Sequence, residues 1–225
     1  QTIALFNCKD KFRDGEKRLG NQNALLAQTK INNKTFIFCC NHLDAHSSPK
    51  QRKKQTEQIL KTLKKQKLTS RPVIVGGDWN THTYNSKSGL IACLSAFRHL
   101  AIWGSEKLVN YHYLYPYKKA EPLFKSLRKY KFNFKDFNEL GKGTLPYKTN
   151  DKKLNEKMNE HIPKFIINFF NKLLKKLGGD SSCKVDWIAA LNCVAVPNSA
   201  KVLPIPQFNQ AALSDHNPVV VNIKL

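Results

Sequence analysis

Pro72-Val73-Ile74-Val75-Gly76-Gly77-Asp78-Trp79-Asn80-Thr81 is the stretch on which the reading of this chain turns. A β-branched apolar run that ends in two glycines and then Asp-x-Asn describes a buried strand delivering polar side chains at its carboxyl end, where α/β sheets place their sites. Side chains alternate along an extended segment, so Asp78 and Asn80 share one face and Trp79 takes the other. Taken alone, the same residues also describe a strand followed by an Asx turn. The flanking sequence decides between the two.

Immediately upstream, Lys50 to Leu68 reads as a helix, with Ser48 as N-cap and Pro49 at the first position. Ile59, Leu60 and Leu63 form its narrow apolar stripe, and Arg52, Lys53, Lys54, Lys61, Lys64 and Lys65 are expected to be largely exposed. Before it, Asn23 to Ile31 and Lys34 to Cys40 read as strands joined across Asn32-Asn33, a hairpin signal, and the second runs into Asn41-His42-Leu43-Asp44. Gln1 to Cys8 reads as a short strand and Lys9 to Arg18 as a charged connection.

Downstream, Ser86 to Leu100 has the pattern of an amphipathic helix, Leu108 to Tyr117 of an aromatic-rich loop or strand, and Glu121 to Tyr130 of a short helix. From Asn150 to Gly178 the chain is Lys-rich, with Ile162, Ile166, Phe169, Phe170, Leu173 and Leu177 on one helical face and a stop at Gly178-Gly179. That face is expected to pack on its own domain, and an anionic membrane or a partner is the alternative. Lys184 to Ala190 is an apolar strand containing Asp186, and Leu213 to Pro218 leads into an apolar strand from Val219 to Ile223. Strands alternating with helices indicate an α/β architecture, and no repeat or linker divides residues 1–225, so a single domain is expected.

Of 225 residues, 41% are hydrophobic, enough for a sizeable core, which argues against a disordered chain. No apolar run is long enough to span a bilayer. Cys8, Cys39, Cys40, Cys93, Cys183 and Cys193 lack zinc-site spacing, so buried free thiols are expected, with a Cys183–Cys193 bridge left open. A net charge of +22, from 38 Lys+Arg against 16 Asp+Glu, favours polyanions: nucleic acid, anionic membrane or phosphorylated small molecules. A merely solvated lysine surface would give the same total.

A carboxylate inside an apolar strand needs a partner, and His216 is the natural one for Asp186, because a bond to the carboxylate fixes the imidazole tautomer and raises its basicity. His42, Asp78, Asn80 and Asp215 add a second His, two acids and an amide on strand ends or the loops after them. Such a set suits phosphoester hydrolysis: a carboxylate deprotonates water, hard oxygen ligands hold Mg²⁺, and imidazoles or amides stabilise the phosphoryl oxygens.

His42-Leu43-Asp44, Gly76-Gly77-Asp78-Trp79-Asn80, Lys184-Val185-Asp186-Trp187-Ile188 and Ser214-Asp215-His216-Asn217-Pro218, in that order, resemble the endonuclease/exonuclease/phosphatase, or deoxyribonuclease I-like, superfamily. The resemblance implies a four-layered sandwich of two mixed β-sheets with helices outside. It implies Asp78 as general base, Asn80 orienting water and phosphate, His42 and Arg52 binding phosphate, Asp186 paired with His216, and Asp215 serving a Mg²⁺ or Mn²⁺ ion or, with His216, the phosphate. Nucleic acid is the first expected substrate, with phospholipid or a phosphorylated small molecule second. Asn7 only superficially matches the superfamily's first strand end, and Glu16 sits in a charged turn, so neither is expected to supply the superfamily's Gln-Glu metal ligand. The chain is therefore expected to lack the first part of the fold, that part being cleaved or on another chain, and on its own to bind Mg²⁺ poorly. The segment at about 150–180 has the character of a Lys-rich insertion. A non-catalytic alternative is a degenerate member serving as a basic nucleic-acid-binding or structural subunit of a larger assembly.

Overall fold

The computed structural model describes residues 1–6, 22–45, 47–81, 89–108, 113–148, 164–176, 180–208 and 211–224. Asn7, Cys8, Glu16 with its charged turn, Ile162 and the Gly178-Gly179 stop lie outside them. The strands in chain order are β1 (Thr2–Ala4), β2 (Asn23–Ile31), β3 (Lys34–Asn41), β4 (Val73–Asp78), β5 (Leu145–Lys148), β6 (Asp180–Cys183) and β7 (Asp186–Leu191). They are followed by two-residue strands β8 (Val194–Ala195), β9 (Lys201–Val202), β10 (Gln207–Phe208), β11 (Ala211–Ala212), β12 (Val219–Val220) and β13 (Ile223–Lys224). The helices are α1 (Pro49–Lys65), α2 (Gly89–Leu108), α3 (Leu123–Lys129) and α4 (Lys164–Lys176).

A five-stranded mixed sheet, ordered β1-β2-β3-β4-β7, carries the architecture. β2 and β3 pair antiparallel through the expected hairpin, whose turn residues Asn32 (φ 47°) and Asn33 (φ 60°) occupy the left-handed region that asparagine tolerates. β3 and β4 run parallel, so the chain must cross back between them, and α1 fills that crossover. Ser48 caps α1 in a capping box: its hydroxyl accepts from Gln51 N, and the Gln51 side chain accepts from Ser48 N. β7 closes the sheet antiparallel to β4, with Asp186 directly opposite Asp78. After Leu191 the chain forms three separate two-stranded antiparallel ladders, β8 with β13, β9 with β12 and β10 with β11. Val219 to Ile223 is thus two separate strands rather than one, because each half pairs with a different partner.

One sheet face packs on α1 and α3 through Trp79, Trp187, Phe124, Phe134, Leu60 and Leu63. Phe124 lies 4.7 Å from both Phe134 and Trp187, tilted or edge-on as ring quadrupoles prefer. Side chains of this size each stabilise by about 1.5–3 kcal/mol when buried.

The buried face of α1 corrects the sequence reading. Besides Ile59, Leu60 and Leu63 it buries Arg52, Gln55 and Thr56, so Arg52 is not on the exposed side. Gln55 satisfies itself there by accepting from Asp44 N and donating to Phe6 O. Cys40 is exposed, opposite the buried Cys39, and Cys183 and Cys193 are free thiols rather than a bridge. α2 runs past Leu100 to Leu108, with a break at Gly104 (φ 72°).

The second glycine of β4 has a steric reason. Gly77 sits at φ 138°, and a Cβ there would lie 1.9 Å from the carbonyl oxygen of Asn41. Only glycine lets the end of β4 come this close to the end of β3, and that approach brings the residue after Asn41 to the site.

Candidate active site

Three strand ends converge. β4 ends in Asp78, β7 begins with Asp186 in the facing register position, and His42 follows β3. Leu43 N donates to Asp78 O at 2.9 Å and Trp79 N to Val185 O at 2.9 Å, so backbone bonds lock all three segments together.

Asp78 is gripped from two sides. Its Oδ1 accepts from Asn80 N at 2.8 Å, and its Oδ2 lies 3.3 Å from both Asn80 Nδ2 and His42 Nε2. Asn80 adopts φ 48°, a left-handed conformation in which its backbone and side-chain N–H groups both turn back on Asp78. It is buried, and its amide also donates to Leu43 O at 2.9 Å, so it orients the carboxylate rather than facing solvent. His42 is exposed and can meet an incoming ligand. Across the strand pair, His216 Nδ1 lies 2.8 Å from Asp186 Oδ2, the pairing the sequence implied. The exposed Asp215 neighbours it in sequence.

The two carboxylates, though opposite each other, are tuned in opposite directions. Burial raises Asp78 above the ordinary carboxylate range, and the negative charge of Asp186 adds to this, against the Asn80 N–H and the two imidazoles. Burial also pushes Asp186 upward, but hydrogen bonds from His216 and Thr144 and the charges of His216 and Lys184 outweigh it and hold the carboxyl below its usual value. His216 is raised, chiefly by its bond to Asp186 and then by the surrounding carboxylates, and so keeps its proton above the usual imidazole range. Environments that push titratable groups apart in this way separate a base from an acid.

Arg52 is not part of the cluster, which corrects the expectation that it binds phosphate. Its side chain is fully buried, and the guanidinium donates to Ser47 O at 2.7 Å and to both carboxylate oxygens of the buried Glu121.

Two contributors were missed in the sequence. Thr144 accepts at Oγ1 from Val185 N at 3.2 Å and Asp186 N at 3.0 Å, while its carbonyl accepts from Asn217 N at 2.7 Å. It thereby ties the Asp186 strand to the His216 loop, and nothing in its local pattern announces this. Lys184 is wholly buried, its Nζ lies 5.4 Å from the centre of the Trp187 ring, and burial lowers its ammonium to about 8. Its position two residues before Asp186 was the available signal. Thr144→Val, which keeps the shape and removes the hydroxyl, should cost about 1–3 kcal/mol in urea unfolding, because two N–H groups lose their acceptor. It should also raise the Asp186 pKa read by carboxyl-carbon NMR, while Thr144→Ser restores both; unchanged values would remove Thr144 from the site.

A divalent ion is not accommodated by this cluster alone. Among the described residues no three His, Cys, Asp or Glu side chains form a possible metal site. The Asp78 oxygens already accept from Asn80, with His42 beside them, and Asp186 Oδ2 is taken up by His216. Asp215, expected to serve the metal, joins no such set.

The model of endonuclease/exonuclease/phosphatase family 2 matches residues 7–222, and the chain belongs to that family. The family falls within a superfamily of phosphoester hydrolases whose members are generally dependent on divalent metals. Among solved structures, a functionally unknown conserved protein from Enterococcus faecalis V583 superposes with a TM-score of 0.53 at 15% identity, over 100% of this chain and 65% of that one. An endonuclease/exonuclease/phosphatase from Beutenbergia cavernae DSM 12333 gives 0.50 at 14% identity, over 100% of this chain and 44% of that one. These likenesses show the fold, a deoxyribonuclease I-like α/β arrangement, and the chain spans less than two thirds of either structure's length. No curated protein matches the chain.

Proposed function

We propose that this chain supplies the water-activating and phosphate-stabilising part of a metal-dependent phosphodiesterase or phosphatase. The observation that carries the reading is the facing pair Asp78 and Asp186, one raised and one lowered, with an imidazole on each. Asp78, held in orientation by Asn80, accepts the proton of a water as its oxygen attacks phosphorus and the ester oxygen departs. A raised pKa makes it a stronger base than an ordinary carboxylate. His216, kept protonated by Asp186, donates to a phosphoryl oxygen as charge builds there, and His42 offers a second imidazole from the solvent side. Mg²⁺ or Mn²⁺ is the expected ion; the described residues do not provide its full ligand set. The net charge of +22 favours nucleic acid as substrate, ahead of phospholipids and phosphorylated small molecules.

The test is turnover by the full-length protein with Mg²⁺ on plasmid DNA, RNA, phospholipid vesicles and sugar phosphates, followed across pH. Activity should rise with pH through the raised Asp78 value, since the carboxylate is the active form. It should fall again above the usual imidazole range, since imidazolium is the active form of His216. Both limbs are macroscopic values of the coupled cluster. His216→Ala should lower the rate and abolish the alkaline limb. No turnover on any substrate, or a wild-type profile for His216→Ala, would leave the binding or structural role in its place.

A further inference from the structure

Away from the Asp78 cluster, α2 and α4 touch where the Phe97 and Phe169 rings meet at 5.0 Å between centroids. Both helices turn large apolar side chains to solvent. Phe165 is 72% and Phe169 45% exposed on α4, one turn apart, and Leu94 is 60% and Ile102 61% exposed on α2, two turns apart. Isolated exposed hydrophobics are ordinary, whereas two phenylalanines one turn apart, touching a second helix that exposes two more apolar side chains, want an apolar phase. The exposed charge on the two helices is predominantly basic. Lys164, Lys172 and Lys175 are exposed on α4 and Arg98 lies exposed between Leu94 and Ile102, while α4 contains no Asp or Glu and the only one in α2 is Glu106, beyond the break at Gly104.

We propose that the exposed side of α4, with the adjoining turns of α2, docks on an anionic phospholipid bilayer, with Phe165 and Phe169 entering the acyl boundary and Lys164, Lys172, Lys175 and Arg98 meeting lipid phosphates. Basic side chains beside protruding aromatics match a surface that is negative outside and apolar a few ångströms in. A duplex nucleic acid would answer the lysines but leave the phenylalanines in water. α4, with 13 residues, is about 20 Å long against a hydrocarbon core of about 30 Å, so it lies on the membrane rather than crossing it. This surface goes beyond the hydrolase reading and does not depend on it.

The experiment is co-sedimentation of the full-length protein with vesicles of phosphatidylcholine alone or mixed with phosphatidylserine. Binding is expected only to the mixed vesicles and should weaken with added salt, because the Debye length shrinks. Phe165→Ser with Phe169→Ser should weaken it at least about tenfold, the scale of one buried aromatic withdrawn from lipid. Lys164→Gln, Lys172→Gln and Lys175→Gln together should do the same, whereas Lys61→Gln, Lys64→Gln and Lys65→Gln on the outer face of α1 should not. Unchanged vesicle binding in the phenylalanine variant overturns the proposal. So does equal loss in the α1 variant, or a patch whose phenylalanines prove to serve self-association in light scattering or single-stranded DNA binding without any vesicle binding. Circular dichroism confirms that each variant is folded.

Discussion

Asp78→Asn is expected to reduce phosphoester turnover by about 10²–10⁴-fold, the contribution typical of a positioned general base. The substitution keeps size and leaves an amide oxygen that Asn80 N can still reach, so the loss should be in kcat with the fold intact. Stability should hold or rise. The folded pKa of Asp78 lies above its unfolded value, so its contribution to stability is fully present below the unfolded pKa and is lost as pH climbs through the folded one. Above that folded pKa the ionised group is therefore a burden, partly desolvated and facing Asp186, and a neutral amide relieves it. Turnover measured beside a thermal melt checks both halves: wild-type rates would sink the assignment of Asp78 as base, and a rate lost only because the protein unfolds would leave it without support.

The second large effect concerns Arg52. Arg52→Met should destabilise the protein by about 3–5 kcal/mol, because it strands the Glu121 carboxylate in the core. Burial already pushes Glu121 up to about 7 against the pull of the guanidinium, and without Arg52 it must rise further. A carboxyl raised in the folded state gives its full contribution below the unfolded pKa and loses it as pH rises through the folded value. The variant should therefore suffer less in urea at about pH 5 than at about pH 8. Arg52→Lys should rescue only in part, since Glu121 is met by both Nε and Nη2 of a planar fork. Substrate KM should stay at the wild-type value wherever the variant is folded. A raised KM with unchanged stability would instead return Arg52 to phosphate binding.

That arginine also shows where the sequence stopped being readable. Positions 52, 55, 56, 59, 60 and 63 follow helical spacing without interruption, but only the last three are apolar, so a hydropathy stripe recovers half of the buried face. Arg52 and Gln55 are polar because their partners are Glu121, Asp44 and Phe6, outside the helix and invisible to its pattern, while Thr56 bonds back to Arg52 O. Where a device is local it was legible: Asn32-Asn33 for the hairpin, Ser48-Pro49 for the start of α1, Gly76-Gly77-Asp78 for the close strand end. The Asp186–His216 pair was legible for a different reason, since the cost of burying an unpaired carboxylate demanded a counterpart. Thr144 obeyed no such demand. A hydroxyl is content in water, so its service as a clamp between two distant segments could emerge only from the folded chain.

Asp78 and Asp186 owe their juxtaposition to the ladder between β4 and β7, in which they are paired residue for residue. Sliding that ladder by a single residue would send one of them to the opposite face, so the reactive pair and the sheet cannot drift separately. Thr144 and the His216 loop are tied to the pair by side-chain and backbone bonds of their own, outside that ladder. A lineage built on this plan is therefore free to lengthen or replace the connections at the rim while inheriting the facing carboxylates unaltered.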